Sequence, residues 1–513
     1  MSWCAQMLKI TIGLLFIAAL ASLVTFLVLK YRPRDSDHVH DPRPNIVIVL
    51  ADDLGWDDVS FHGNDQIPTP NLDAFASHGV ILNRHYAGRS CTPSRGALLT
   101  GKLPLHIGLE QYLVINGVYG SGLPLEHKLM PEYLRELGYE THLIGKWHLG
   151  FYKESLLPTS RGFDSHYGAY SGFGTYFSHM CSEPAFEPLG VPPGYDMHLN
   201  GQPDFSAYGQ YVTDLYDRRF REIVERRSRG HKPLFIVMSH MAPHGSHPGD
   251  LFQLPDAVRN SSDLSHINNE RRTKYAGLVK TLDDSFGKLV EVLASNGILE
   301  NSVILFSSDN GGPSFKDAMF PTGASNWPFR GQKFTPWEGA IRVASFVWSP
   351  RLIEAPYVSD KLYHFADWLP TFYALAGGNM SDLGTIDGLD VWESISVRDT
   401  PSPRDRVLLV HDRDGTTDYP GLVAIMGKYK LVSGEWAMYT GNDWYLAGGD
   451  GLKAERSTID LERRRLKSVA HRVLRRYGLT SINVTENWRR EAVVRCSWGE
   501  QLRCNGEACE GVM

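Results

Sequence analysis

Residues 45–53 read Asn-Ile-Val-Ile-Val-Leu-Ala-Asp-Asp, a short apolar run that ends on two adjacent carboxylates. In the run Asn45–Leu50, the five residues after Asn45 are apolar and mostly β-branched, which predicts a strand that is buried on both faces. Strands of that kind lie in the centre of an α/β sheet, between two layers of helices. The sequence therefore predicts an α/β fold that starts at this strand and carries Asp52 and Asp53 where the strand ends.

Three further apolar runs end in the same way, each at polar residues of unusual type. They are Glu140–Ile144 before Lys146 and His148, Leu234–Met238 before His240 and His244, and Ser302–Ser307 before Asp309 and Asn310. Helical patterns precede two of these runs, around Lys128–Leu137 and from Tyr275 to Leu293. Open α/β sheets bind their ligands beyond the carboxyl ends of their strands, so we expect the four polar groups to converge on one crevice.

The composition excludes several classes of protein. The chain has 513 residues, of which 42% are hydrophobic and 21% charged, so it can bury a large core and is neither disordered nor fibrous. Its formal net charge is −6, and one Arg-rich stretch, Arg463 to Arg476, stands out near the C-terminus. We therefore predict that nucleic acid is not a partner.

The N-terminal part of the chain differs from the rest. Ile10–Leu29 is uncharged and apolar, and as a helix it reaches the ~30 Å thickness of a bilayer core. It predicts a signal-anchor in a membrane of the secretory pathway, with a cytoplasmic tail (1–9), a linker (30–43) and a luminal or extracellular catalytic body. The alternative is a cleaved signal peptide, since Ala19-Leu20-Ala21 resembles a cleavage site, and the protein would then be lysosomal or secreted.

The texture of the sequence changes at about residue 401, where short strands and an Arg-rich helix (Ile459–Arg476) predict a small C-terminal α+β domain, 401–513, after a main domain, 44–400. The six cysteines are Cys4, Cys91, Cys181, Cys496, Cys504 and Cys509. In an oxidising compartment, Cys181 and the three C-terminal cysteines are expected to form two disulfides of open connectivity. Three N-glycosylation triplets, at Asn260, Asn379 and Asn483, fit a luminal body.

The carboxylates after the first strand point to a metal. Asp52 and Asp53 would repel each other unless a cation lay between them, and Asp309 with Asn310 supplies a second pair of oxygens. An all-oxygen set of this kind suits Ca²⁺ or Mg²⁺ better than zinc. The alternative is a set of solvated carboxylates in turns, which is common at the ends of strands.

Two longer motifs carry a resemblance to a known family. Ser90–Gly101 reads SCTPSRGALLTG, and Gly138–His148 reads GYETHLIGKWH. These runs resemble the two signatures of the sulfatase family, and the similarity extends from about Pro44 to at least Pro350. Leu157–Asp164 and Phe329–Lys333 look most like the arylsulfatase B (N-acetylgalactosamine-4-sulfatase) branch of that family. Arg89 departs from the family pattern, which has a small residue or Pro at that position.

The resemblance implies an alkaline-phosphatase-like mixed sheet flanked by helices, and hydrolysis of aryl sulfates or of sulfated sugars such as N-acetylgalactosamine 4-sulfate. It implies that the formylglycine-generating enzyme oxidises Cys91 to formylglycine, whose hydrate supplies the nucleophilic oxygen, and that one calcium ion is bound. The implied calcium ligands are Asp52, Asp53, Asp309, Asn310 and the modified Cys91. The other implied roles are Arg95 and His148 on the hydrate, Lys146 and Lys333 on the sulfate oxygens, and His244 on the leaving group, with His240 and His247 as alternatives to His244.

Two other functions remain open at this point. A phosphoryl-transfer enzyme of the same superfamily would use the same metal and the same strand-end layout, but the C-x-P-x-R context of Cys91 argues against it. A catalytically silent glycan-binding ectodomain would keep the fold, but every catalytic residue type that the family requires is present. We therefore predict a sulfatase.

Overall fold

The computed structural model describes residues 41–109, 115, 120–182, 192–227, 232–314, 321–411, 422–427, 429–433 and 492–495. Its strands are β1 (Asn45–Ala51), β2 (Val80–Leu82), β3 (His85–Tyr86), β4 (Glu140–Gly145), β5 (Ser165–Gly168), β6 (Met180–Cys181), β7 (Gly194–Tyr195), β8 (His198–Leu199), β9 (Gln202–Pro203), β10 (Leu234–Ser239), β11 (Ser302–Ser308), β12 (Ser345–Trp348), β13 (Tyr357–Ser359), β14 (Tyr363–His364), β15 (Arg406–His411), β16 (Leu422–Met426), β17 (Tyr429–Ser433) and β18 (Ala492–Arg495).

The α-helices of the described chain are α1 (Pro70–Ala76), α2 (Cys91–Thr100), α3 (Met130–Glu136), α4 (Val212–Arg226), α5 (Asp256–Arg259), α6 (Glu270–Ser295), α7 (Glu338–Ile341), α8 (Trp368–Leu375) and α9 (Trp392–Ser396). Short 3₁₀ helices occur at Trp56–Asp58, Ser60–His62, Pro104–Ile107, Glu154–Leu156, Pro158–Ser160, Phe205–Ala207, Leu299–Asn301, Phe365–Asp367 and Met380–Leu383.

A mixed sheet of ten strands organises the described chain, in the order β13-β2-β12-β11-β1-β10-β4-β5-β8-β9. Its five central strands, from β11 to β5, run parallel, while β12 and β8 pair antiparallel on either side. Every residue of β1 is buried. This confirms the α/β mixed sheet that the sequence predicts and the position of its first strand in the centre.

Helices cover both faces of the sheet. Side chains of β1 alternate between the two layers, with Val47 and Val49 in one core and Ile46 and Ile48 in the other. The first core includes side chains of α4 and α6, and the second includes side chains of α2, α3 and α8. Because the faces are filled, the carboxyl ends of the parallel strands are left to form the crevice.

The four strands that lead to the polar groups begin where the sequence predicts and run one residue further. Gly145 shows why a polar site can follow so closely. It has a φ of 104°, and a Cβ there would lie 1.8 Å from the carbonyl oxygen of Ser239. Only glycine allows β4 and β10 to approach this closely, and Lys146 follows at once.

A second sheet, in the order β15-β16-β17-β18, contains short strands of the kind that the sequence predicts after residue 401. It packs on the main body through a small apolar core, and Lys430 Nζ lies 2.8 Å from Glu338 Oε1 of α7. The domain boundary at residue 400 stays a prediction, and the Arg-rich helix Ile459–Arg476 lies outside the described residues. So do Cys4, Cys496, Cys504 and Cys509, whereas Cys181 lies in β6.

The predicted membrane anchor, Ile10–Leu29, also lies outside the described residues. Within the described ranges, no helix combines the length and the apolar character needed to cross a membrane. The 26-residue helix α6 is long enough, but Asp283 and Asp284 lie in its middle and would be costly in lipid. This finding contradicts the prediction of a single-pass membrane protein of the secretory pathway.

Candidate active site

The acidic group forms because β1 and β11 are neighbours in the sheet. Ala51 pairs with Ser308 at the end of the two strands, so Asp52 and Asp53 follow on one side and Asp309 and Asn310 on the other. The Asp53 amide donates a hydrogen bond to Asp309 Oδ1 at 3.3 Å, and all four residues are buried. The convergence that the sequence predicts for these two pairs is confirmed.

Cys91 completes this group as the first residue of α2. Its Sγ lies 3.4 Å from Asp52 Oδ1, and one potential ligand atom from each of Asp52, Asp53, Cys91 and Asp309 lies within 4.8 Å of the others. Asn310 donates to Asp53 Oδ1 at 2.7 Å, while its own side-chain oxygen is buried without a hydrogen-bond partner in the described chain. A buried acceptor without a partner is costly, and a cation would satisfy it. The oxygen donors of Asp52, Asp53, Asp309 and Asn310 fit a hard divalent cation.

Three buried cations pair with the three carboxylates. Lys146 Nζ lies 2.6 Å from Asp52, Lys333 Nζ lies 2.7 Å from Asp53, and the Arg95 guanidinium lies 2.8 Å from Asp309. Buried charges are stable only when they are paired and hydrogen-bonded in this way. The side-chain charges therefore balance before any metal or substrate is bound.

The ion pairs favour the ionised forms of Asp52 and Asp53. Burial alone raises the pKa of Asp52, but Lys146 and the other nearby positive groups outweigh it and hold that pKa below its usual value. Burial likewise raises the pKa of Asp53, and Lys333 outweighs it. The carboxylates of Asp52 and Asp53 can thus act as anionic ligands near neutral pH.

The Cys91 thiol is the opposite case. Burial, together with the negative charge of Asp309, raises its pKa far above the usual value. The thiolate is the nucleophilic form of cysteine, so an unmodified Cys91 is a poor nucleophile. Cys91 thus places its sulfur atom in the site but, unmodified, lacks the reactivity of a catalytic cysteine.

Two histidines face the acidic group from different loops. His148 follows β4, is 1% exposed and has no hydrogen-bond partner for either ring nitrogen within the described chain. Burial and the charge of Lys146 lower its pKa well below the usual value, so the ring is neutral. His244 Nδ1 donates to the Gly245 carbonyl oxygen at 2.6 Å, and its Nε2 lies 3.5 Å from Asp53 Oδ2.

The structure distinguishes His240, His244 and His247, the three histidines that the sequence analysis considers for the leaving-group side. His240 is buried with its ring 6.4 Å from that of Tyr216 in α4. His247 is half-buried, and its backbone amide donates to the Gly174 carbonyl. Of the three, His244 is the one with a ring nitrogen beside Asp53.

Sequence reasoning missed a network behind Asp53. The buried Asp58 carboxylate accepts hydrogen bonds from the Tyr275 hydroxyl at 2.7 Å and from the Ser325 and Gly55 amides at 3.0 Å, and it pairs with Arg272. It therefore ties the turn after β1 to α6 and to the loop that leads to Lys333. No local pattern indicates the partner of Asp58, because Arg272 lies 214 residues further along the chain.

We expect Arg272→Met to lower the free energy of unfolding by about 3–5 kcal/mol, because it leaves the buried Asp58 carboxylate without its cation. Urea unfolding at neutral pH measures this. Lys274→Met is the matched control on the same helix, since the Lys274–Glu270 pair is exposed and pairs of that kind contribute little. An equal loss in both variants would contradict the role of Asp58.

The sequence of the chain is similar to those of several known proteins. The model of the Sulfatase family matches residues 44–378. Arylsulfatase J of Mus musculus is 39% identical over 380 residues, which are 72% of this chain and 58% of that protein. N-acetylgalactosamine-6-sulfatase of Homo sapiens is 31% identical, over 68% of this chain and 65% of that protein. The match thus spans less than two thirds of each of these relatives and does not single out the arylsulfatase B branch.

A solved structure shows the same architecture. The crystal structure of Ps i-CgsB in complex with k-i-k-neocarrahexaose has a TM-score of 0.69 and 28% sequence identity, and the match covers 83% of this chain and 92% of that one. Its ligand is a chain of sugars. The alkaline-phosphatase-like fold predicted for this chain is confirmed.

Proposed function

The chain belongs to the sulfatase family, a family of sulfuric ester hydrolases, and we propose that it cleaves sulfate esters of sugars at the site around Cys91. The observation that carries this proposal is the position of Cys91, buried at the start of α2 among three carboxylates and three cations. We propose that the formylglycine-generating enzyme converts this residue to formylglycine and that one calcium ion is bound by Asp52, Asp53, Asp309, Asn310 and position 91.

The cations of the site suit a sulfate group. Lys146 and Lys333 present ammonium groups on either side of the acidic cluster, and we assign them to the sulfate oxygens. Calcium, when bound, would add positive charge where negative charge develops on those oxygens. Arg95 reaches Asp309 with two nitrogens and the Lys146 carbonyl with a third, so it fixes the end of β4 against α2 and holds position 91 in place.

Proton transfer falls to the two histidines. A hydrated formylglycine supplies the attacking oxygen in this family, and His148, with both ring nitrogens available, is assigned to hydrogen-bond it. His244 is assigned to protonate the leaving oxygen from Nε2, because its Nδ1 proton is held by the Gly245 carbonyl. Burial lowers the pKa of His244, and the Asp53 carboxylate, 3.5 Å from Nε2, opposes this shift by favouring the protonated ring.

We propose sulfated N-acetylgalactosamine, in particular its 4-sulfate, as the sugar. The similarity of Phe329–Lys333 and Leu157–Asp164 to the arylsulfatase B branch supports the 4-sulfate. The name N-acetylgalactosamine-6-sulfatase, carried by several relatives, supports the sugar itself. Turnover of both sulfate isomers of this sugar distinguishes the two positions.

Peptide mass spectrometry across Cys91 tests the proposal, together with turnover of 4-nitrophenyl sulfate and 4-nitrophenyl phosphate. We expect formylglycine at position 91 and sulfate hydrolysis far above phosphate hydrolysis. An unmodified cysteine together with faster phosphate hydrolysis would instead identify a phosphoryl-transfer enzyme.

We expect Gly172→Ala to lower kcat on 4-nitrophenyl sulfate by roughly 100-fold, the cost of a displacement of about 1 Å in a catalytic group. A Cβ at Gly172 would lie 2.2 Å from the His148 ring, which must then move. Gly174→Ala is the matched control, because its Cβ would have nothing nearer than the Met241 sulfur at 3.6 Å. Equal activity in the two variants would contradict the role of His148.

A further inference from the structure

An exposed aromatic side chain lies on the loop that carries Lys333. Trp327 is 70% exposed, and between residues 321 and 340 only Trp327 and Pro328 are exposed. Single exposed apolar residues are common and mean little by themselves. What distinguishes Trp327 is where the two ends of its loop are fixed.

The first end of the loop is held against the acidic group. The Ser325 carbonyl oxygen accepts from the Asp57 amide at 2.9 Å, and a Cβ at Gly55 would lie 2.3 Å from that oxygen. The Asn326 side chain bonds both the amide and the carbonyl of Gly312, at 3.0 and 2.8 Å. Gly55 and Gly312 each lie two residues after a proposed calcium ligand.

The second end of the loop is Lys333, whose ammonium group lies 2.7 Å from Asp53. Trp327 is therefore anchored on both sides at the acidic group, and it is at most ~7 Å along the chain from Ser325. The loop follows β11, whose carboxyl end leads into Asp309 and Asn310, so it lies at the same edge of the sheet as the acidic group.

The loop also packs against aromatic and cationic side chains of the main body. The Phe329 ring packs against Trp56 with centroids 4.8 Å apart, and the Arg342 guanidinium lies over both rings, at 4.4 and 4.8 Å. The Trp327 indole is thus held out by a packed turn rather than by a loose one. A rigid, preformed platform loses little entropy when a ligand binds.

We propose that Trp327 is a sugar-stacking platform that binds a ring of the sulfated glycan next to the ring that carries the scissile sulfate. The face of an indole is electronegative and apolar, which complements the C–H face of a pyranose ring, while the sugar hydroxyls stay in water. This inference rests on the proposed function and adds the requirement that the substrate is an oligosaccharide. An aryl sulfate is too short to need the platform.

The test compares Trp327→Ala, Trp327→Phe and a matched control, Phe205→Ala. Phe205 is 69% exposed but lies beyond β9, at the far edge of the sheet. The probes are 4-nitrophenyl sulfate, as substrate, and a tetrasaccharide of dermatan sulfate, as competitor and as ligand in calorimetry. We expect Trp327→Ala to raise the ratio of the tetrasaccharide Ki to the aryl sulfate KM about tenfold. Trp327→Phe should bring this ratio most of the way back to the wild-type value, and Phe205→Ala should leave the ratio unchanged.

An unchanged ratio in Trp327→Ala, an equal change in Phe205→Ala, or no tetrasaccharide binding to the wild type would each overturn the platform. The calorimetric Kd answers the question without turnover. A wild type that binds the tetrasaccharide through Trp327 but hydrolyses no sulfate would refute the proposed function and leave the platform standing.

Discussion

Cys91→Ala is expected to remove sulfatase activity while the protein stays folded and still binds calcium through its four other proposed ligands. Loss of a nucleophile at this position should lower kcat by on the order of 10⁴ to 10⁶-fold, as for the nucleophiles of other hydrolases. The cost in stability should be only about 1 kcal/mol, because the side chain removed from the buried start of α2 is small. Turnover of 4-nitrophenyl sulfate and thermal unfolding, measured on the same preparation, separate the two effects.

Cys91→Ser is the matched variant for this prediction. It keeps a hydroxyl where the thiol stood, so a site that needed only an oxygen nucleophile would retain activity. Burial and the charge of Asp309 raise the pKa of the Cys91 thiol, and a serine hydroxyl, which is a weaker acid than a thiol, would gain no activation there. We expect the serine variant to be as inactive as the alanine variant. Activity of either within a few-fold of wild type would refute the assignment of Cys91.

The sequence predicted the parts of the site that depend on strand ends. Each of β1 and β11 contains a continuous apolar run, Ile46–Ala51 and Val303–Phe306, so their burial and their carboxyl ends could be located, and with them Asp52 and Asp309. Cys91 was predicted as a site residue on other grounds, because only the resemblance of the surrounding run to a known family pointed to it. A lone buried cysteine at a helix start carries no periodic signal.

What the sequence could not predict depends on contacts between distant segments. Asp58 and Arg272 are both charged and would be expected in solvent, yet each neutralises the other in the interior. The fit of Gly172 against the His148 ring depends on the path of a loop between β5 and β6, which no local pattern specifies. The exposure of Trp327 is of the same kind, since apolar residues are expected inside unless the loop that holds them is known.

Asp309→Ala is expected to lose bound calcium and activity together. It removes one of three carboxylates from the cluster and leaves Asp52 and Asp53 with fewer partners to hold a cation between them. We expect the calcium affinity to fall by more than about 100-fold, the upper end for residues that merely support metal ligands. Calcium content after dialysis, measured by mass spectrometry of the metal, and turnover of 4-nitrophenyl sulfate should fall in parallel.

The same substitution also removes the nearer of the two carboxylates beside the Arg95 guanidinium and leaves Asp52 at 4.0 Å, so stability must be followed as well. Asp309→Asn keeps the volume and one oxygen, and it separates metal loss from collapse of the site if it unfolds at the wild-type temperature. Asp57→Asn is the control for a neighbouring carboxylate: Asp57 accepts from the Ser325 hydroxyl at 2.8 Å and is not among the grouped ligand atoms. We expect it to keep its calcium. Full calcium occupancy in a folded Asp309 variant would exclude Asp309 as a ligand, because removal of an anionic ligand cannot leave the affinity for a divalent cation unchanged.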